Sequence, residues 1–107
     1  MRLSIHTRFA YDLVEPAPLL IQIDAAETPG QRIVSRRMDL SHRANMTSLA
    51  GHGGVGARLW VDATERFSLD YRAEVEVSRT APPLEALAAV SLHALPHDVV
   101  EYLMPSR

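Results

Sequence analysis

The chain has 107 residues, a net charge of −2 and no cysteine. That is one domain's worth of chain, and its apolar (47%) and charged (22%) fractions are ordinary for a soluble globular protein. The balance excludes an electrostatic drive toward nucleic acid or anionic lipid. The missing thiol excludes disulfides, cysteine nucleophiles and thiolate metal sites.

The opening segment alternates. Leu3, Ile5, Thr7, Phe9 and Tyr11 fall on one side, with Arg2, Ser4, His6, Arg8 and Ala10 on the other. Its charges interrupt any apolar run long enough for a signal peptide, and no stretch of the chain approaches a membrane span. The expectation is a cytoplasmic protein. A second strand is expected over Leu19-Leu20-Ile21-Gln22-Ile23-Asp24, bounded by Pro16 and Pro18 before it and Thr28-Pro29-Gly30 after it. A third covers Gln31 to Leu40, with Val34, Met38 and Leu40 on one side and Arg36 among them. Ile33, Ser35, Arg37 and Asp39 form its opposite side, so its sidedness is weak.

Asn45 to Ala50 reads as a short strand. Gly51-His52-Gly53-Gly54-Val55-Gly56 holds four of the five glycines, which argues against a regular element there. Ala57 to Asp62 is the next strand candidate, and Ala63 to Arg66 reads as a hairpin into the following one. That following strand is the clearest in the chain. Phe67, Leu69, Tyr71, Ala73, Val75 and Val77 alternate with Ser68, Asp70, Arg72, Glu74, Glu76 and Ser78. On a helix the same apolar residues would spread around the whole circumference.

After Arg79 the composition changes. Ala81-Pro82-Pro83 ends the strands, and Leu84 to Val90 has room for a helical turn. Pro96 to Met104 reads as a short helix with Asp98 in its first turn. Residues 1–80 are therefore expected to form an all-β core, an antiparallel β-sandwich of immunoglobulin-like type. Residues 81–107 are expected to form a connector with a short helix.

Sites of chemistry are hard to build from this sequence. The glycine cluster lacks the lysine of a phosphate loop and is followed by a strand, not a helix. His93 and His97 are four apart but separated by Pro96, and His6, His42 and His52 have no local partner, so no metal or cofactor is expected. No serine sits in a Gly-x-Ser-x-Gly elbow. Glu74 and Glu76 share the wet face of the long strand, where they serve solubility or blunt an edge. Arg36-Arg37 is the only adjacent basic pair, which is too little for nucleic acid. Trp60 and Tyr71 read as core or interface residues.

Three segments in order resemble the N-terminal region of bacterial transglutaminase-like proteins. They are the opening Met1 to Asp12 with the following Glu15-Pro16, the strand Phe67 to Val77, and the closing Leu95-Pro96…Tyr102-Leu103…Pro105-Ser106-Arg107. The resemblance implies a non-catalytic β-sandwich ahead of a papain-like domain with a Cys-His-Asp triad. With no cysteine, none of that triad is carried onto a residue here. The partner implied is the downstream catalytic domain of the same polypeptide, with Val99, Val100, Tyr102, Leu103 and Met104 as the docking segment. The alternative is a free-standing module that binds a peptide strand, or a second copy in a homodimer, through an exposed edge strand.

Overall fold

The alternating segments become antiparallel strands in a computed structural model that describes residues 1–105. The strands are β1 (Arg2–Asp12), β2 (Ala17–Ile21), β3 (Gln31–Leu40), β4 (Thr47–Ala50), β5 (Ala57–Ala63) and β6 (Arg66–Val77). They form two three-stranded sheets, ordered β1-β6-β3 and β2-β5-β4. The long strand β6 holds the middle of the first sheet, with β1 paired along it from Arg2↔Glu76 to Asp12↔Arg66.

One core lies between the sheets. Phe67, Leu69, Tyr71, Ala73 and Val75 of β6 meet Ile21 of β2 and Val61 and Ala63 of β5, and all of them are buried. Ile5, Phe9, Met38, Leu40 and Leu59 close around them, half-buried. Each large apolar side chain placed there stabilises the fold by about 1.5–3 kcal/mol, before the cost of ordering the chain. The alternation of β6 is strict because its two faces see opposite media.

The structure corrects four expectations. Ala63 to Arg66 is not a hairpin. β5 and β6 pair with different partners and sit in different sheets, so Thr64 and Glu65 carry the chain from the centre of one sheet to the centre of the other. Glu65 takes φ 54° to make that step, and its carbonyl accepts the Leu13 N–H at 2.7 Å. A short polar link between two alternating runs looks the same in sequence whether the runs pair or part.

The weak sidedness of β3 has a cause. A bulge lies between Ile33, which pairs with Val75, and Ser35, which pairs with Glu74. Val34 is the extra residue and is exposed. Before it, Ile33 faces inward; after it, Arg36, Met38 and Leu40 do, opposite Ala73, Tyr71 and Leu69. The face expected to hold Val34 and to exclude Ile33 is thus the reverse on the near side of the bulge.

Glu74 and Glu76 do not blunt an edge, because β6 is central. They pair instead across the outer face, Glu74 with Arg2 at 3.7 Å and Glu76 with Arg32.

The expected helix at Pro96 to Met104 is a run of 3₁₀ turns over His97–Leu103, preceded by shorter ones at Leu84–Ala86 and Leu92–Ala94. No residue in these turns is buried. A short segment with no apolar face against the core lacks the tertiary support a helix needs. The described residues have a radius of gyration of 18.4 Å, against about 13 Å for a compact chain of this length. Their extents are 53 × 36 × 19 Å. Ser106 and Arg107, the last two residues of the 81–107 segment and of its Pro-Ser-Arg ending, lie outside the described residues.

Candidate functional site

Two features stand out against the well-filled core: the C-terminal turns and a cleft between the sheets. In the turns, Val100, Tyr102, Leu103 and Met104 are exposed, Tyr102 by 73%, and Val99 is half-buried. Leu84, Leu87, Val90 and Leu92 continue the same exposed apolar series upstream. One side-chain contact ties the segment back to the strands: His52 Nε2, in the β4–β5 loop, lies 3.2 Å from Glu101 Oε1. Val100 and Met104 line the hollow beside that contact, together with His52 and His97. Of the residues expected from the sequence to dock, Val100 and Met104 therefore line this hollow, while Val99, Tyr102 and Leu103 do not.

The cleft has a volume of about 320 Å³ and opens beside β3 and β4. Ile21, Ile23, Met38, Leu40 and Leu59 give it an apolar floor, and Arg36 and Arg43 stand at its rim. At its inner end Tyr71 is 1% exposed. The Tyr71 hydroxyl donates to Asp24 Oδ1 at 2.8 Å and accepts the Ala25 N–H at 2.8 Å. Arg36 donates to Asp24 Oδ2 at 2.9 Å.

Burial raises the Tyr71 phenol above its ordinary value of 10.0; the Ala25 N–H opposes this and the Asp24 carboxylate adds to it. The phenol is thus a neutral donor at physiological pH. Its hydrogen bonds hold the segment after β2 against the middle of β6. These polar groups bond to one another, so the triangle fastens the structure.

The histidines are dispersed. His6 bonds Asp70 at 3.1 Å on the outer face of the first sheet. His42 accepts the Thr64 N–H at 3.1 Å and stands edge-on to Phe67. Among the described residues there is no group of three or more His, Asp or Glu side chains placed to hold a metal ion.

Sequence reasoning missed one surface. The register puts Leu20 and Trp60 side by side on the outer face of the second sheet, with Leu49 beside Arg58. The signal was present in β5, where Leu59 and Val61 alternate with Arg58, Trp60 and Asp62. Only the pairing shows which set faces out.

No family model matches the sequence, and no curated protein matches it. Among solved structures, the fold is similar to part of one named a "putative cysteine protease", from Cytophaga hutchinsonii, with a TM-score of 0.84 and 24% identity. The match covers 100% of this chain and 38% of that one. At this identity the likeness is one of fold. The chain spans well under half the length of that neighbour.

Proposed function

We propose that this chain is the non-catalytic, N-terminal immunoglobulin-like sandwich domain of a transglutaminase-like cysteine enzyme. On this reading it works in the cytoplasm and packs against a downstream papain-like domain that carries the Cys-His-Asp triad. The observation that carries the reading is the exposed apolar series Val100, Tyr102, Leu103 and Met104, on a chain whose whole fold matches 38% of a longer protein named as a cysteine protease. Exposed apolar side chains gathered on one segment favour a covering partner. The chain itself has no cysteine, so the nucleophile of such an enzyme belongs elsewhere.

The test begins with the reading frame beyond codon 107. An in-frame cysteine followed by a histidine and an aspartate supports the proposal. Expressed as a separate polypeptide, that segment should bind the 107-residue chain. Tyr102→Ala and Leu103→Ala should weaken the association by about tenfold or more while leaving the melting temperature of the sheets nearly unchanged. Loss of melting temperature without loss of association refutes the docking role.

A further inference from the structure

The two sheets present different outer faces. On the first, charges are matched: Arg2 lies 3.7 Å from Glu74, Arg8 3.2 Å from Asp70, Arg37 2.9 Å from Asp39 and Arg66 3.2 Å from Asp12. On the second, the centre is apolar. Leu20, Trp60 and Leu49 are 46%, 38% and 40% exposed, and Leu20 and Trp60 are direct cross-strand neighbours.

The charges beside that centre have no oppositely charged partner among the described residues. Arg58 spends its Nε–H on the Ala50 carbonyl at 3.1 Å and has no carboxylate within 4.0 Å among the described residues. Asp62 accepts from Asn45 Nδ2 at 2.6 Å and has no cation within 4.0 Å among the described residues. Arg58, Trp60 and Asp62 alternate along β5, so both charges lie on the outer face. Each sits about 7 Å from Trp60 along the strand, one on either side.

We infer that this face pairs with the same face of a second copy of the chain, in a two-fold dimer with Trp60 on the axis. A face can meet itself only through an axis lying in the interface. If the axis ran along β5, Arg58 would meet the partner's Arg58. If it runs across β5, Arg58 meets Asp62 of the partner subunit, Asp62 meets the partner's Arg58, and Trp60 stacks on the partner's Trp60. Leu20 then faces the partner's Leu20. The two charges thus select one arrangement, with the strands of the stacked sheets nearly antiparallel. Face-to-face sheets pack with their strands nearly aligned, which this arrangement allows. The edges of the first sheet are poorer surfaces for self-pairing, since β3 carries Arg32, Arg36 and Arg37 and β1 carries Arg2 and Arg8. This inference is independent of the proposed docking of the C-terminal turns.

The chain has a single tryptophan, so its emission reports on the axis directly. Sedimentation velocity on the 107-residue chain should show a monomer–dimer equilibrium, and dilution should shift Trp60 emission to the red. Trp60→Glu should raise the dissociation constant by at least about thirtyfold, with the far-ultraviolet circular dichroism retained. Arg58→Asp and Asp62→Arg should each give monomers, because each sets like charges face to face. The double variant, and an equimolar mixture of the two single variants, should recover the dimer. A monomer at every soluble concentration overturns the inference. So does a dimer that survives Trp60→Glu, or one that the two charge swaps neither break nor restore.

Discussion

The Tyr71 hydroxyl donates to Asp24 Oδ1 at 2.8 Å, which ties the middle of the longest strand to the loop that leaves β2. Arg36 grips the other carboxylate oxygen from β3. Three distant parts of the chain are held at one point between the sheets. The inward position of Arg36 depends on the bulge at Val34, so a local irregularity in β3 has a consequence for the whole fold.

Removing the phenolic oxygen tests this point. Tyr71→Phe should lower stability by about 1–3 kcal/mol in urea denaturation, because the Ala25 N–H and one Asp24 oxygen lose their partner. The same variant has a pH signature. The folded state holds the phenol above 10.0, so the unfolded chain ionises first. Stability from this group is full below pH 10 and falls as pH rises toward the folded value. Tyr71→Phe should remove that part of the alkaline loss.

Acid acts on the outer face of the first sheet. The hydrogen bond from His6 lowers the Asp70 carboxyl below its ordinary 3.8, desolvation opposes it, and Arg72 adds to the lowering. Its contribution is therefore present above pH 3.8 and is lost as pH falls through the folded value. A carboxyl NMR titration should place the Asp70 midpoint below 3.8, and His6→Ala should move it upward. A midpoint unmoved by His6→Ala would show that the arginines alone set it.

The bulge makes a prediction about deletion. Removing Val34 should leave a regular ladder from Gln31 to Leu40 against β6 with the inward set intact, at a cost of about 1 kcal/mol or less in thermal unfolding. Deleting Arg37 instead removes the same extra residue but turns Ser35 inward in place of Arg36, so it should also lose the Arg36–Asp24 bond and cost more. Equal effects from the two deletions would contradict the assigned register.

Gly51 closes the β4–β5 loop by close approach. A Cβ placed there would lie 1.9 Å from the Val55 carbonyl oxygen, whereas one at Gly53 meets nothing within 4 Å. Gly51→Ala must displace backbone and should cost about 1–3 kcal/mol. Gly53→Ala bears only the strain of its φ of +64° and should cost about 1 kcal/mol. Thermal unfolding that ranks them in the opposite order would place the loop differently.

Much of the fold can be read from the sequence because burial imposes a period. From Phe67 to Val77 the alternation is strict, and every inward residue from Phe67 to Val75 is buried. The glycine cluster and Pro82-Pro83 mark where strands end, whereas Pro18, expected to precede the second strand, lies inside β2 opposite Asp62, and that strand ends at Ile21 and not at Asp24; the composition change after Arg79 marks where strands stop. The apolar residues Tyr102, Leu103 and Met104 are legible as well, since their exposure follows from a segment too short and too isolated to build a face against the core.

Pairing is not legible, because it depends on contacts between residues far apart in sequence. The link Thr64-Glu65 fits a hairpin as well as a crossing, and only the competition among β1, β2, β3 and β4 for partners decides that β5 and β6 separate. The bulge at Val34 appears in sequence only as blurred sidedness. Which face of β5 meets the core is decided by the sheet it joins, and that choice sets Trp60, Arg58 and Asp62 outward together. Local sequence thus determined which segments are extended and which residues are apolar. The tertiary structure decided which strands are neighbours, since a strand's alternation fixes its two faces but carries no label for the partner that will cover them.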